Sequence, residues 1–104
     1  MTYCICYIQE GQIPRDVVEQ LEEGIKNIVV SNSLGSDIAF TWIVVPEGHG
    51  WTAGEPSTSS VVSLVAPPII QSRRVEILHA LCSLWMERTG CHINEVLASV
   101  MPNQ

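Results

Sequence analysis

The same block is written twice along this chain, and that repetition limits its fold more than any other feature. Arg15-x-Val17 opens one helical segment and Arg73-x-Val75 opens another. Gly35-Ser36-Asp37-Ile38 leads into one strand, and Gly90-Cys91-His92-Ile93 leads toward another. Pro46 and Pro102 close those strands. Each copy therefore reads strand, helix, strand, an internal duplication with pseudo-repeats over 1–48 and 59–104 and a Gly-rich loop between them. A strand-helix-strand crossover between parallel strands is right-handed. Two such units joined in one sheet put both helices on the same face. The expectation is an α+β fold, β-α-β-β-α-β, with a four-stranded sheet and two helices on one side. The 104 residues suffice for one domain with a modest core and not for two.

Local patterns place the elements. Thr2 to Gln9 alternates, with Tyr3, Ile5 and Tyr7 on one face and Cys4, Cys6 and Ile8 on the other. That predicts a strand buried on both sides. Pro14 suits a helix start, and Val17, Val18, Leu21, Ile25, Ile28 and Val29 follow at helical spacing. An amphipathic helix is expected from about Pro14 to Ser31, with Gly35 as a left-handed cap. Ile38 to Val45 is the second strand. Glu47 to Ser60 is turn-rich, the longest irregular stretch. Val61 to Ala66 is the third strand. Ser72 is the expected N-cap of the second helix, whose apolar face is read as Val75, Leu78, Leu81, Cys82 and Trp85. Glu95 to Met101 is the fourth strand.

Bulk properties exclude several classes. A net charge of −6 and no basic stripe argue against nucleic acid. No apolar run reaches the roughly 18 residues of a membrane span, and the N-terminus has no signal-peptide pattern. Hydrophobic residues make up 46% and charged ones 15%. With one sheet face uncovered by helices, part of that apolar surplus must meet another subunit. Cys4, Cys6, Cys82 and Cys91 form no CxxC, and no histidine stands near the first pair to complete a zinc set. They read as small hydrophobes in a reducing cytoplasm, with no metal and no cofactor expected.

The segment Gly48-His49-Gly50-Trp51-Thr52-Ala53-Gly54-Glu55, preceded by a strand, Glu10-Gly11, a long helix and an Ile-Val-Val strand, resembles a 4-oxalocrotonate tautomerase subunit. The second half is similar to a repeat of the first. The whole chain resembles the longer tautomerase-superfamily members, such as macrophage migration inhibitory factor and the haloacrylate dehalogenases. That resemblance implies a homotrimer acting on a small carboxylate or keto acid. In the family an N-terminal proline does the chemistry once the initiator methionine is gone. Here Thr2 stands in that place. Its amine, freed by removal of Met1, would have a pKa of about 7.7 to 8. It could act as a weak base or form an imine with a carbonyl. The other reading is that Thr2 is simply the first residue of the strand.

The resemblance also implies arginines that hold the substrate carboxylate. One family arginine falls at Gln12, with Arg15 nearby. In the second half the place falls at Arg73 and Arg74. Two arginines at a helix start oppose the helix dipole, which favours a binding role. Facing solvent, or pairing with Glu76 or Asp16, is the alternative. Trp51 either lines the pocket or anchors its loop. His49 is either an acid of the site or an exposed side chain. Met101-Pro102-Asn103-Gln104 holds no acid to activate water, which argues against hydrolytic dehalogenation. Two functions stay open. One is keto-enol isomerisation with the N-terminal amine as base. The other is a degenerate trimeric binding or assembly protein that keeps the fold and pocket alone.

Overall fold

The computed structural model describes residues 1–103. Strand β1 (Thr2–Gln9) is followed by helix α1 (Arg15–Ser31) and strand β2 (Ile38–Val45). A small hairpin, β3 (Trp51–Thr52) and β4 (Glu55–Pro56), lies in the long loop. Strand β5 (Ser60–Ala66), helix α2 (Gln71–Thr89), a 3-10 turn (Ile93–Glu95) and strand β6 (Val96–Pro102) complete the order. The main sheet runs β2-β1-β5-β6. Its outer pairs are parallel, and the central β1–β5 pair is antiparallel. This is the expected doubled β-α-β arrangement.

Alternation along β1 decides which face carries the core. Thr2, Cys4, Cys6 and Ile8 are buried, whereas Tyr3 and Tyr7 are exposed. The buried set packs with Val62, Leu64 and Ala66 of β5 beneath Leu21, Ile25 and Val29 of α1 and Ile77, Leu81 and Trp85 of α2. The strand is therefore covered on one side only within the chain. Tyr3, Tyr7, Ile43, Leu97 and Met101 leave the other side open and apolar. Cys4 and Cys6 lie fully buried with their sulfurs 3.7 Å apart. Contact with Cys4, and then burial, push the Cys6 thiol far above the usual thiol range. It stays protonated and packs as a small hydrophobe.

Three local expectations are corrected. The core stripe of α2 is Ile77, Leu81 and Trp85, while Val75 is exposed and Leu78 and Cys82 are half-buried. Apolar residues cover more than one side of this helix, so spacing alone allows two registers. The helix also starts one residue before Ser72. Pro67 and Pro68 lead in, Ile70 holds the cap position, and the Arg74 N–H bonds the Ile70 carbonyl at 3.0 Å. At the end of α1 the left-handed residue is Ser33, at φ 57°, rather than Gly35. Gly35 is needed for a different reason. Its φ is +135°, and a Cβ there would lie 3.3 Å from the Thr2 hydroxyl.

Candidate functional site

Thr2 opens the central strand with its side chain almost wholly buried. Its hydroxyl donates to the Leu34 carbonyl in the turn that leaves α1. A β-branched residue with a bonded hydroxyl has little rotamer freedom, so the backbone around Thr2 is held in one place. Met1, Thr2, Gly35, Asp37, Ile38 and Pro67 line a cleft of about 690 Å3. Among the described residues Asp37 is its one charged side chain, and no lysine, arginine or histidine lines it. The Met1 carbonyl accepts a 2.6 Å hydrogen bond from Asn103 Nδ2.

The two arginines lie toward the same end, at the start of α2, and differ in what they touch. Arg73 Nη2 donates to the Asn32 carbonyl at 2.8 Å and to Asn32 Oδ1 at 3.3 Å. Asn32 caps α1, whose last turn holds no basic residue. A guanidinium there satisfies free carbonyls and meets the negative helix end. Arg74 Nη1 donates to the Ile69 carbonyl at 3.3 Å. It also borders a smaller cavity of about 140 Å3 with Pro68, Met101 and Pro102. Neither arginine pairs with Glu76 or Asp16 among the bonds of the described residues.

Gln12, His49 and Trp51 lie at the other end of the sheet. β1 rises about 3.3 Å per residue, so Thr2 and Gln9 are about 23 Å apart. Gln12 Nε2 donates to the Thr58 carbonyl at 2.6 Å. His49 is exposed. Trp51 is 62% exposed, and its indole N–H donates to the Gly48 carbonyl at 3.1 Å. With Tyr7, Gln9, Asn94 and Leu97, Trp51 borders a second cleft of about 500 Å3. One chain thus gathers Thr2 with the α2 arginines at one end and leaves Gln12, His49 and Trp51 at the other.

Sequence reasoning passed over three groups at the Thr2 end: Leu34, Asp37 and Asn103. Leu34 and Asn103 bond partners 32 and 102 residues away, and Asp37 joins them as a wall residue of the cleft. The one local signal is the position of Asn103 directly after the strand-closing Pro102.

No protein-family model and no curated protein matches the chain. Solved structures do. Native Ps01740 superimposes with a TM-score of 0.90 at 22% identity, over 96% of this chain and 92% of that one. Pt0534 inactivated by 2-oxo-3-pentynoate gives 0.79 at 23% identity, over 96% and 84%. A fused 4-OT symmetric trimer gives 0.80 at 15% identity, over 96% and 84%. At these identities the likeness is one of fold, and the fold is that of the tautomerase superfamily.

Proposed function

We propose that this chain is a tautomerase-type keto-enol isomerase of small keto or enol carboxylates, with the Thr2 amine as its base once Met1 is removed. The observation that carries the reading is the burial of Thr2 at the head of the central strand, beside an open cleft. An amine released at that point keeps a fixed position. It takes a proton from the carbon beside the substrate carbonyl as the C–H pair moves to form the enol, then returns a proton to the same unit. A fold neighbour inactivated by 2-oxo-3-pentynoate, a small keto acid, points to the same substrate class.

A homotrimer completes the proposal. The open sheet face is apolar and needs a second layer, and fused 4-OT neighbours are trimers. Packing between copies would bring Gln12, His49 and Trp51 of one subunit toward the Thr2 cleft of another. Arg74 is the better carboxylate partner of the two α2 arginines, because its one bond leaves most of its five donors free. Four free cysteines suit a reducing compartment such as the cytoplasm. The acidic charge of −6 disfavours nucleic acid, and no helix among the described residues is long and apolar enough to cross a membrane.

Intact mass of the native protein, followed by ketonisation of phenylpyruvate or 2-hydroxymuconate, tests the reading. Protein lacking Met1 should turn over above background and take up one 2-oxo-3-pentynoate on the Thr2 amine. No rate above background at saturating protein overturns it. A second reading, a binding protein without turnover, is favoured by the Asn103 bond that fastens the Met1 carbonyl. A retained Met1 in native protein would select it.

A further inference from the structure

We propose that Asn103 is the oxyanion-binding residue of the Thr2 site, its side-chain amide donating to the enolate oxygen of a keto-acid substrate once the Met1 carbonyl has left. The inference deepens the isomerase reading and rests on it. The Asn103 backbone N–H bonds the Ala66 carbonyl at 3.0 Å. That bond carries the β5–β6 ladder one residue past the Ala66–Pro102 pair. The side chain therefore springs from a fixed backbone, half-buried. Its Nδ2 donates to the Met1 carbonyl oxygen at 2.6 Å.

That oxygen and the Thr2 nitrogen share one carbon. In a planar amide they lie about 2.3 Å apart. The Asn103 donor is thus within about 5 Å of the nitrogen that becomes the base. Hydrolysis of the Met1–Thr2 bond places the hydroxyl of water on the Met1 carbon and a hydrogen on the Thr2 nitrogen. The acceptor leaves, the amine forms, and the Asn103 N–H is left without its partner.

An enolising substrate supplies what is then missing. As the amine takes the proton, the C–H electron pair becomes the C=C bond and the carbonyl pair moves onto oxygen. The charge arises on an oxygen about 2.4 Å from the deprotonated carbon, a separation fixed by bond lengths. A base and a donor less than about 5 Å apart can straddle that H–C–C=O unit. A donor already aimed at the developing charge costs no reorganisation. Beside the α2 arginines, this end of the fold offers the neutral Asn103 amide as a donor close to the nitrogen. The retained Met1 carbonyl engages the same donor and blocks it.

The test uses full-length protein lacking Met1, verified by intact mass. In the phenylpyruvate assay Asn103→Ala should lower kcat about 100-fold, the scale for losing one oxyanion donor, with KM changed less than about threefold. Asn103→Asp should lose at least as much, because a carboxylate cannot donate and repels the enolate. Thermal melts identify a variant that fails to fold, and Asn103→Leu then replaces it. Unchanged kcat in a folded variant overturns the proposal while leaving the isomerase reading intact. A second readout stands apart from turnover. The Asn103 side-chain amide resonances, assigned by their loss in Asn103→Ala, are titrated with pyruvate. A saturable shift in processed protein, absent when Met1 is retained, supports the subsite even if no substrate turns over. No shift overturns it.

Discussion

The two ends of β1 are built from different materials. At the Thr2 end, apart from the exposed bond from Asn103 to the Met1 carbonyl, position is set by buried and half-buried groups. These are the Thr2 hydroxyl on the Leu34 carbonyl, a glycine closing against it, and Arg73 tying α2 to the end of α1. At the Gln9 end, the loop is held mostly by exposed side-chain bonds, beside one half-buried bond from Gln9 Nε2 to the Ser59 carbonyl. Gln12 reaches the Thr58 carbonyl, the Thr58 hydroxyl reaches Glu95, and Glu10 accepts from the Glu47 N–H. Exposed bonds compete with water and contribute less than buried ones. The first end is therefore suited to fixing a reactive group, and the second to opening and closing around a ligand or a neighbouring subunit.

The largest effect expected from breaking the first end is at Gly35. A φ of +135° is strained for any L side chain, and its Cβ would crowd the Thr2 hydroxyl at 3.3 Å. Gly35→Val should cost about 3 kcal/mol, combining a backbone cost of about 1 to 3 with the displaced hydroxyl. Urea unfolding measures it. A loss under about 1 kcal/mol would show that this turn adapts. Thr2→Val comes next. It keeps the shape and leaves the Leu34 carbonyl without its donor, for about 1 to 3 kcal/mol. Arg73→Met removes two bonds to Asn32 and should cost about 1 to 2 kcal/mol. It should leave catalysis nearly unchanged if Arg74 holds the carboxylate. A large rise in KM with unaltered stability would instead give Arg73 the binding role.

How much of this could be read beforehand differs between the same two ends. β1, α1 and β2 follow their predicted spans to within a residue, because one periodicity dominates each and Pro14 and Pro46 punctuate them. The proposal of Thr2 as the base rests on resemblance to a family. The supports of Thr2 did not come that way, because Leu34 and Asn103 are brought to it by the sheet rather than by spacing. The hairpin at Trp51–Thr52 and Glu55–Pro56 is too short to carry an alternation. Helix α2 shows the opposite failure. Val75, Leu78, Cys82 and Met86 compete with Ile77, Leu81 and Trp85 for the same pattern, and only packing against β5 and β6 decides between them.

The smallest expected effect lies at the loop end, and it is dependent on pH. Glu95 accepts from the Thr58 hydroxyl at 2.6 Å and from the His92 backbone N–H at 2.7 Å. The Thr58 bond first, and then the His92 bond, hold its carboxyl below the ordinary carboxylate range, and burial opposes them weakly. Both bonds favour the charged form. A depressed folded-state pKa means the stabilisation is present above the unfolded value, about 4.3 for glutamate. It is lost as pH falls through the lower folded value. Amide protection factors over residues 46–59 should therefore fall increasingly as pH drops below about 4, while those in β1 hold steady. Glu95→Gln should raise exchange in the same loop at neutral pH and flatten its pH response. Equal loosening of β1 and the loop on acidification would mean the two ends are coupled after all, and the division between a fixed end and a latched end would fall.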